Sequence, residues 1–315
     1  MARQRKRKGD PVHGWLVLNK PVDMTSTQAV AKMKRLFDAQ KAGHGGTLDP
    51  LADGILPIAF GEATKTTAYA MAAEKSYSFE IEWGTSTSTL DKEGEVTGRS
   101  DKRVDVSEVR NALAGFVGEI EQIPPQYSAI KVNGERAYDL ARDGEEVELQ
   151  PRQVQLFSAE LDEASTSDKA LIHVNCGKGF YIRALARDLA EKLGLQGHVS
   201  RLQRTRVGRF SLENAVNVDQ LDAMDGPEAR RAALVSIDLA LENVPKVEVP
   251  SSELGKLQNG NDVLLMPHVT SGFRAYLNQR EGDDRTALAM HDGKPLALGE
   301  VRAGYFKPTR VLQIK

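Results

Sequence analysis

A glycine-rich segment that leads to an acid is the part of the sequence best suited to chemistry. Residues 43–46 hold three glycines and His44, and Asp49 follows with Pro50 directly after it. Glycine lets the backbone approach a ligand closely, and Pro50 favours an extended conformation for Asp49. A carboxylate held beside an open loop is typical of a nucleophile. A turn in which Asp49 bonds its own backbone is the alternative, and the pattern alone favours that turn.

Two other segments combine a reactive side chain with a regular element. Tyr77 begins an alternation of apolar and polar residues, which predicts a strand over 77–83 with one buried face. Tyr181 and Arg183 stand at the start of a predicted helix over 181–193, in which leucines recur every four residues. By pattern alone, Tyr77 is typical of core packing and Arg183 of a surface contact with phosphate.

The charge of the chain is unevenly distributed. The formal net charge is −2, from 42 basic and 44 acidic residues. Residues 1–10 carry a net +4 and residues 176–209 a net +6, so the remainder carries −12. A basic zone within an acidic protein is compatible with a local site for a polyanion. Random clustering on a solvated helix face explains the charges of 176–209 equally well.

Composition narrows the class of protein. With 315 residues the chain has room for about two domains. Cys176 is its one cysteine, so no internal disulfide forms, which fits a reducing cytoplasm. No apolar run approaches the ~20 residues that span a bilayer, and none follows the basic N-terminus as a signal peptide requires. No phosphate-binding or dinucleotide motif is present, and the six histidines form no recognisable ligand set. We therefore expect a cytoplasmic protein with no membrane segment, no cofactor and no metal.

Apolar spacing in the rest of the sequence predicts the strands and helices that position the three reactive segments. A short apolar strand ends at Pro21, and a helix follows that Thr25 or Ser26 caps. A second helix is predicted over 106–117 and a further strand over 170–176.

A change of pattern near residue 245 predicts a domain boundary. Pro245 and Pro250 suit an extended linker, although an edge strand framed by prolines is equally consistent. Short strands and turns follow, which predicts a small all-β module. The chain thus divides into a basic disordered arm (1–10), a main domain (11–245) and a small module (248–315).

Six blocks in order carry a family resemblance. Residues 43–50 resemble the signature of the TruB family of tRNA pseudouridine synthases. One such block is weak support, whereas six in the family's order make a specific match across residues 14–210. The other blocks are 14–21, 75–77, 122–131, 177–183 and 198–202.

The resemblance implies both a fold and a reaction. The implied fold is the α+β pseudouridine synthase fold, with a mixed, largely antiparallel sheet over 11–245 and a small PUA-like, RNA-binding β-barrel over 248–315. The implied reaction converts uridine to pseudouridine at position 55 in the T-loop of tRNA. It is an isomerisation without net redox, so no cofactor is expected.

The resemblance also implies residue roles. Asp49 is expected to be the nucleophile on a flipped-out uridine, attacking uracil C6 or sugar C1′, with Arg183 as its ionic partner. Tyr77 is expected to stack on the base and to serve as a base late in the reaction. Substrate contacts are expected from His44, Tyr181, Leu202 and Lys20; for Lys20 a phosphate contact, a brace or a solvated side chain all stay open.

The expected partner is the T-arm of tRNA, with no obligate protein partner. Basic side chains of 176–209 are expected to meet tRNA phosphates. Asp53, where many relatives carry a small hydroxyl residue, is expected to face solvent. An RNA-binding or tRNA-folding protein without catalysis is one alternative, and a synthase acting on a different RNA is another.

Overall fold

A computed structural model describes residues 9–128, 130–132, 135–142, 148–280 and 282–314. Most of the predicted arm at 1–10 lies outside these residues, although Asp10 is described and its backbone N–H bonds the Asp38 carbonyl at 2.6 Å. Ala129, in one of the six blocks, also lies outside them. No helix among the described residues is long and apolar enough to cross a membrane.

Strands dominate the architecture. They are β1 (Gly14–Lys20), β2 (Ala42–His44), β3 (Asp53–Phe60), β4 (Lys75–Trp83), β5 (Thr85–Thr87), β6 (Val96–Arg99), β7 (Gly118–Gln122), β8 (Lys131–Val132), β9 (Glu135–Arg136), β10 (Arg152–Leu161), β11 (Lys169–Cys176), β12 (Gly197–Val207), β13 (Phe210–Ser211), β14 (Lys246–Glu248), β15 (Val263–Leu264), β16 (Thr286–His291), β17 (Lys294–Arg302) and β18 (Tyr305–Val311).

Short and medium helices connect and cover the strands. They are α1 (Ser26–Leu36), α2 (Thr67–Ala72), α3 (Val106–Ala114), α4 (Ala137–Arg142), α5 (Ile182–Leu193), α6 (Val218–Asp222), α7 (Gly226–Arg231), α8 (Leu254–Gln258) and α9 (Pro267–Leu277).

A nine-stranded sheet forms the main body. Its order is β1-β3-β12-β4-β11-β10-β7, with β2 beside β3 and β13 beside β12. β12 runs parallel to β3, whereas β4 is antiparallel to both β11 and β12. This confirms the predicted mixed, largely antiparallel sheet. Along β4 the side chains at 75, 77, 79, 81 and 83 are buried, as the alternation predicts, and α3 and α5 pack on the sheet through Leu113, Leu185 and Leu189.

Helix ends follow local sequence rules. Thr25 caps α1 in a reciprocal pair with Gln28, which confirms the predicted start. Gly194 ends α5 with φ +64, a conformation that glycine adopts without strain. The predicted helix over 106–117 is too long, since it ends at Ala114 with Gly115 as its cap, and Val117 is exposed.

The C-terminal part is a second sheet of five strands, in the order β14-β16-β17-β18-β15. β14 occupies the middle of the predicted linker, so the edge strand framed by prolines is the correct alternative. The all-β prediction is wrong, because α8 and α9 pack on this sheet. Pro267 opens α9, and Val269, Phe273 and Leu277, spaced four apart, join the small apolar core.

Candidate active site

A cavity of about 280 Å³ opens where the glycine-rich loop meets the large sheet. Its lining comes from the loop at 46–49, from Lys75 and Tyr77 of β4, from residues 179–183, and from Leu202 and Arg204 of β12. The volume lies near the lower limit of ligand pockets, ~300 Å³. Residues far apart in sequence thus converge on a space suited to one small planar group.

The loop that carries Asp49 is fixed by its neighbours. The Ser26 hydroxyl donates to the Leu48 carbonyl and accepts from the Leu48 N–H, both at 2.9 Å. Gly46 has φ +128, which a residue with a side chain rarely adopts. The Asp49 side chain stays 34% exposed, on the cavity side of the loop. The loop therefore presents its carboxylate on a rigid backbone.

Arg183 is the ionic partner of Asp49. The guanidinium Nη2 lies 2.8 Å from Asp49 Oδ2, and Nη1 lies 3.3 Å from Asp91 Oδ2. It also donates to the carbonyls of Thr89 and Tyr127, both at 2.9 Å. Only 5% of the arginine side chain is exposed. A planar guanidinium bound on so many sides holds its charge in one place, so the surface phosphate contact does not describe Arg183.

Asp91 is a site residue that the sequence analysis missed. It is 2% exposed and lies in the connection between β5 and β6. Its carboxylate accepts from the Thr89 hydroxyl at 2.5 Å and from the Glu93 N–H at 3.1 Å. One arginine thus bridges two carboxylates, of which Asp49 faces the cavity and Asp91 is buried. An acid in a polar loop gives no signal of this role.

Tyr77 and Tyr181 bring two phenols to the cavity. Burial raises the pKa of both phenols, and for Tyr77 the nearby charge of Arg204 opposes that rise. Both are therefore protonated near neutral pH. Gln122 fixes the backbone of Tyr181 through two hydrogen bonds.

Leu202 supplies the apolar wall. It is 5% exposed and pairs across the sheet with Phe79 of β4. The structure therefore brings Asp49, Tyr77, Arg183, Tyr181 and Leu202 around one cavity, as the resemblance implies.

His44 and Lys20 lie outside this lining. The Gly46 N–H donates to His44 Nδ1 at 3.3 Å, so this half-buried ring bonds within the loop. The Lys20 ammonium is fully buried and donates to the carbonyls of Pro21 and Met24 at 2.7 and 2.8 Å. Burial lowers the pKa of Lys20 to about 8. The expected phosphate contact and the solvated side chain are therefore wrong for Lys20, which braces the site.

Asp53 also departs from its prediction. It is half-buried rather than solvent-facing, and its carboxylate accepts from Gln203 Nε2 at 2.9 Å. Its charge opposes the effect of burial on the nearby Lys20. The acid serves as a counter-charge inside the fold.

The basic stretch 176–209 is dispersed rather than gathered on one face. Arg204 is 1% exposed and donates to the carbonyls of Gly46, Thr47 and Ile55, so it braces the glycine-rich loop. Arg209 pairs with Glu242. Lys178, Lys192 and Arg201 are exposed, and the ammonium of Lys192 lies 4.9 Å from the centre of the Phe116 ring. Lys178 and Arg201 remain suited to phosphate. The prediction of a common phosphate-binding face is corrected, since the cations nearest the cavity are used internally.

One surface group offers potential metal ligands. Donor atoms of Glu248, His291 and Asp292 lie within 4.8 Å of one another in the C-terminal sheet. His291 Nδ1 lies 2.9 Å from the Val249 carbonyl, which takes up one ring nitrogen. The two acids are exposed, so the group does not form an enclosed site.

Comparison with solved structures supports the fold. A chain in the crystal structure of a Cbf5-Nop10-Gar1 complex is 25% identical, with a TM-score of 0.67, and the match covers 96% of this chain and 82% of that one. A chain in the structure of an H/ACA RNP bound to a substrate RNA containing 2′-deoxyuridine is 22% identical, with a TM-score of 0.70 and coverage of 99% and 92%.

Comparison with sequences defines the family. The profile of the TruB family pseudouridylate synthase N-terminal domain matches residues 34–182, and that of the tRNA pseudouridylate synthase B C-terminal domain matches 183–242. The tRNA pseudouridine synthase B of Caulobacter sp. (strain K31) is 47% identical over 98% of this chain and 99% of its own length. That of Rhizobium johnstonii is 45% identical over 99% of both. The chain therefore belongs to the TruB family of pseudouridylate synthases.

Proposed function

We propose that this chain converts uridine to pseudouridine in the T-loop of tRNA, at position 55, with Asp49 as the nucleophile. Family membership makes it a pseudouridine-forming isomerase, and the relatives that match its full length are named for tRNA. The loop signature at 43–50 supports the choice of the T-loop. The observation that carries the role of Asp49 is its contact with the buried Arg183, 2.8 Å from carboxylate to guanidinium.

The cavity suits a single base that has left its stack. A uridine folded into a tRNA loop must be extruded before a side chain reaches its reacting atoms, which costs a few kcal/mol. Stacking on Tyr77 returns about 1–3 kcal/mol, and Leu202 and Tyr181 enclose the same space.

Asp49 performs the first step in either route. Its carboxylate attacks uracil C6, or it attacks C1′ of the sugar while the bond from C1′ to N1 breaks. On the C6 route the bond from C1′ to N1 breaks after the attack. In both cases the base then turns, C5 joins C1′, the bond to Asp49 breaks, the C5 proton is lost and N1 takes up a proton. Arg183 keeps a positive charge at the carboxylate throughout. No atom is gained or lost overall, so the reaction proposed here requires no cofactor.

Release of tritium from C5 tests the proposal. Purified protein is incubated with a T-loop RNA carrying tritium at C5 of the target uridine. We expect release by the wild type and none by Asp49→Asn, with RNA binding retained. Release from a tRNA whose only labelled uridine lies outside the T-loop would redirect the proposal to a different site. Binding with no release from any tRNA would favour the RNA-folding alternative.

A further inference from the structure

We propose that Lys75 is a further catalytic residue, whose ammonium stabilises the negative charge that develops on the uracil carbonyl oxygens. The inference rests on the proposed function. Lys75 begins β4 two residues before Tyr77, and alternation along a strand puts both side chains on one face. Both residues line the cavity together with Asp49.

The lysine lies beside the loop that carries Asp49. A Cβ placed on Gly46 would stand 4.0 Å from Lys75 Cε and 4.0 Å from Arg204 Nη1. The aliphatic end of Lys75 therefore lies within van der Waals reach of the Gly46 position on the loop. Lys75 itself is only 8% exposed, so its charge is largely removed from bulk water.

The protein occupies only part of the hydrogen-bonding capacity of the ammonium. Lys75 Nζ donates to the carbonyls of Met71 at 2.8 Å and Ala73 at 2.5 Å. An ammonium has three N–H donors, so one remains for a ligand in the cavity that Lys75 lines. Within the described part of the chain no carboxylate forms an ion pair with Lys75, whereas Arg183 has two.

An uncompensated buried cation is costly to a fold, and such groups concentrate at functional sites. Burial and the charge of Arg204 lower the pKa of Lys75 to about 8, against a small opposing effect of the Cys176 thiol. Near pH 7 the side chain therefore remains mostly an ammonium. It is a hydrogen-bond donor rather than a base.

The proposed reaction places negative charge on the uracil carbonyl oxygens by either route. Attack of Asp49 on C6 moves the electron pair of the C5–C6 double bond towards O4. Attack on C1′ leaves the electron pair of the broken N1–C1′ bond on uracil, where O2 and O4 share it. In both cases the charge disappears when C5 has joined C1′, the C5 proton has left and N1 has taken up a proton. A fixed donor aimed at a carbonyl oxygen in a buried site is typically worth 100- to 1,000-fold in kcat.

A structural role makes a different prediction. Met71 and Ala73 lie at the end of α2, so Lys75 also satisfies carbonyls at a helix terminus. If that were its whole contribution, removing the charge would lower the melting temperature and leave the chemical step unchanged. The two roles are separated by a rate measured on bound RNA.

The main test is Lys75→Met, which keeps the aliphatic stem and removes the charge. We expect the single-turnover rate of tritium release from saturating protein to fall about 100-fold, with the dissociation constant for RNA within threefold of the wild type. Lys65→Met is the control away from the cavity, because Lys65 Nζ also donates to a backbone carbonyl, that of Val311 at 2.6 Å, in addition to its ion pair with Glu62. Its rate should equal that of the wild type.

Chemical rescue distinguishes the loss of the ammonium group from a folding defect. Lys75→Ala should regain part of its rate with ethylammonium chloride and none with sodium chloride at equal ionic strength. A wild-type rate in Lys75→Met, or a slow Lys75→Ala that ethylammonium does not accelerate, would overturn the role of Lys75 alone. If the wild type released no tritium, the proposed function itself would fail, and this inference with it.

Discussion

The two sheets of this molecule use charge in opposite ways. Among the described residues, five charged side chains on the large sheet or on the helix and loop packed against it are less than 9% exposed: Lys20, Lys75, Asp91, Arg183 and Arg204. In the C-terminal sheet the core is apolar, and ion pairs such as Arg302 with Glu300 lie at the surface. A buried charge needs partners in fixed positions, whereas a surface pair is screened by water. Stability and function are therefore coupled in the first sheet and separable in the second.

Arg183→Ala should have the largest effect on both stability and turnover. Loss of the guanidinium leaves Asp49 and Asp91 without their shared cation, so we expect a destabilisation of about 3–5 kcal/mol. Turnover should fall far more than RNA affinity. Urea unfolding gives the first quantity, and single-turnover kinetics with filter binding give the second. A loss of affinity alone would contradict the ionic role of Arg183.

Truncating a core side chain beside the C-terminal sheet should lower stability without changing the chemical rate. Leu257 is 1% exposed in the small apolar core. Leu257→Ala should cost about 2–5 kcal/mol of stability, without changing the rate of the chemical step once RNA is saturating. Differential scanning calorimetry and single-turnover kinetics check the two halves. A proportional fall in the chemical rate would show that the sheets are coupled.

The buried lysine Lys20 should make the free energy of unfolding depend on pH. The pKa of Lys20 falls from 10.5 to about 8 in the folded chain. Between these values the unfolded chain binds more protons than the folded one, so the free energy of unfolding rises with pH. Lys20→Met should reduce that rise between about pH 8 and 10.5. Lys256→Met, which removes an exposed lysine paired with Glu253, is the surface control in the same urea titrations.

The smallest effect is expected at the surface of the C-terminal sheet. The side chains of Arg302 and Glu300 are 58% and 41% exposed. Arg302→Ala should change the free energy of unfolding by less than about 1 kcal/mol, and 1 M salt should abolish the difference. A larger, salt-resistant loss would mean that this pair is not screened as its exposure indicates.

The predictability of the site differs from residue to residue. The family resemblance implied a shared site for Asp49, Tyr77 and Arg183, because each lies in one of its ordered blocks. The local pattern alone favoured a turn, core packing and a surface contact for these three residues. The burial of Lys20 and Arg204 did not follow, because a lysine or arginine in a sequence gives no sign of which carbonyls lie nearby in the fold. The dispersion of the basic side chains of residues 176–209 has the same cause. The fold places neighbouring basic side chains on different faces of the protein.

Sequence alone determined the elements and their chemistry: the strand alternation of β4, the capped helix α1, the glycine stop of α5 and an acid beside a glycine-rich loop. These depend on nearest neighbours and on a period of two or 3.6 residues, which the chain carries locally. Only the tertiary structure decided that Asp91 shares Arg183 with Asp49, that Asp53 is an internal counter-charge and that Lys75 reaches the cavity. Those facts depend on which distant segments meet in the fold. Burial at these contacts holds the charged groups in fixed positions beside the cavity.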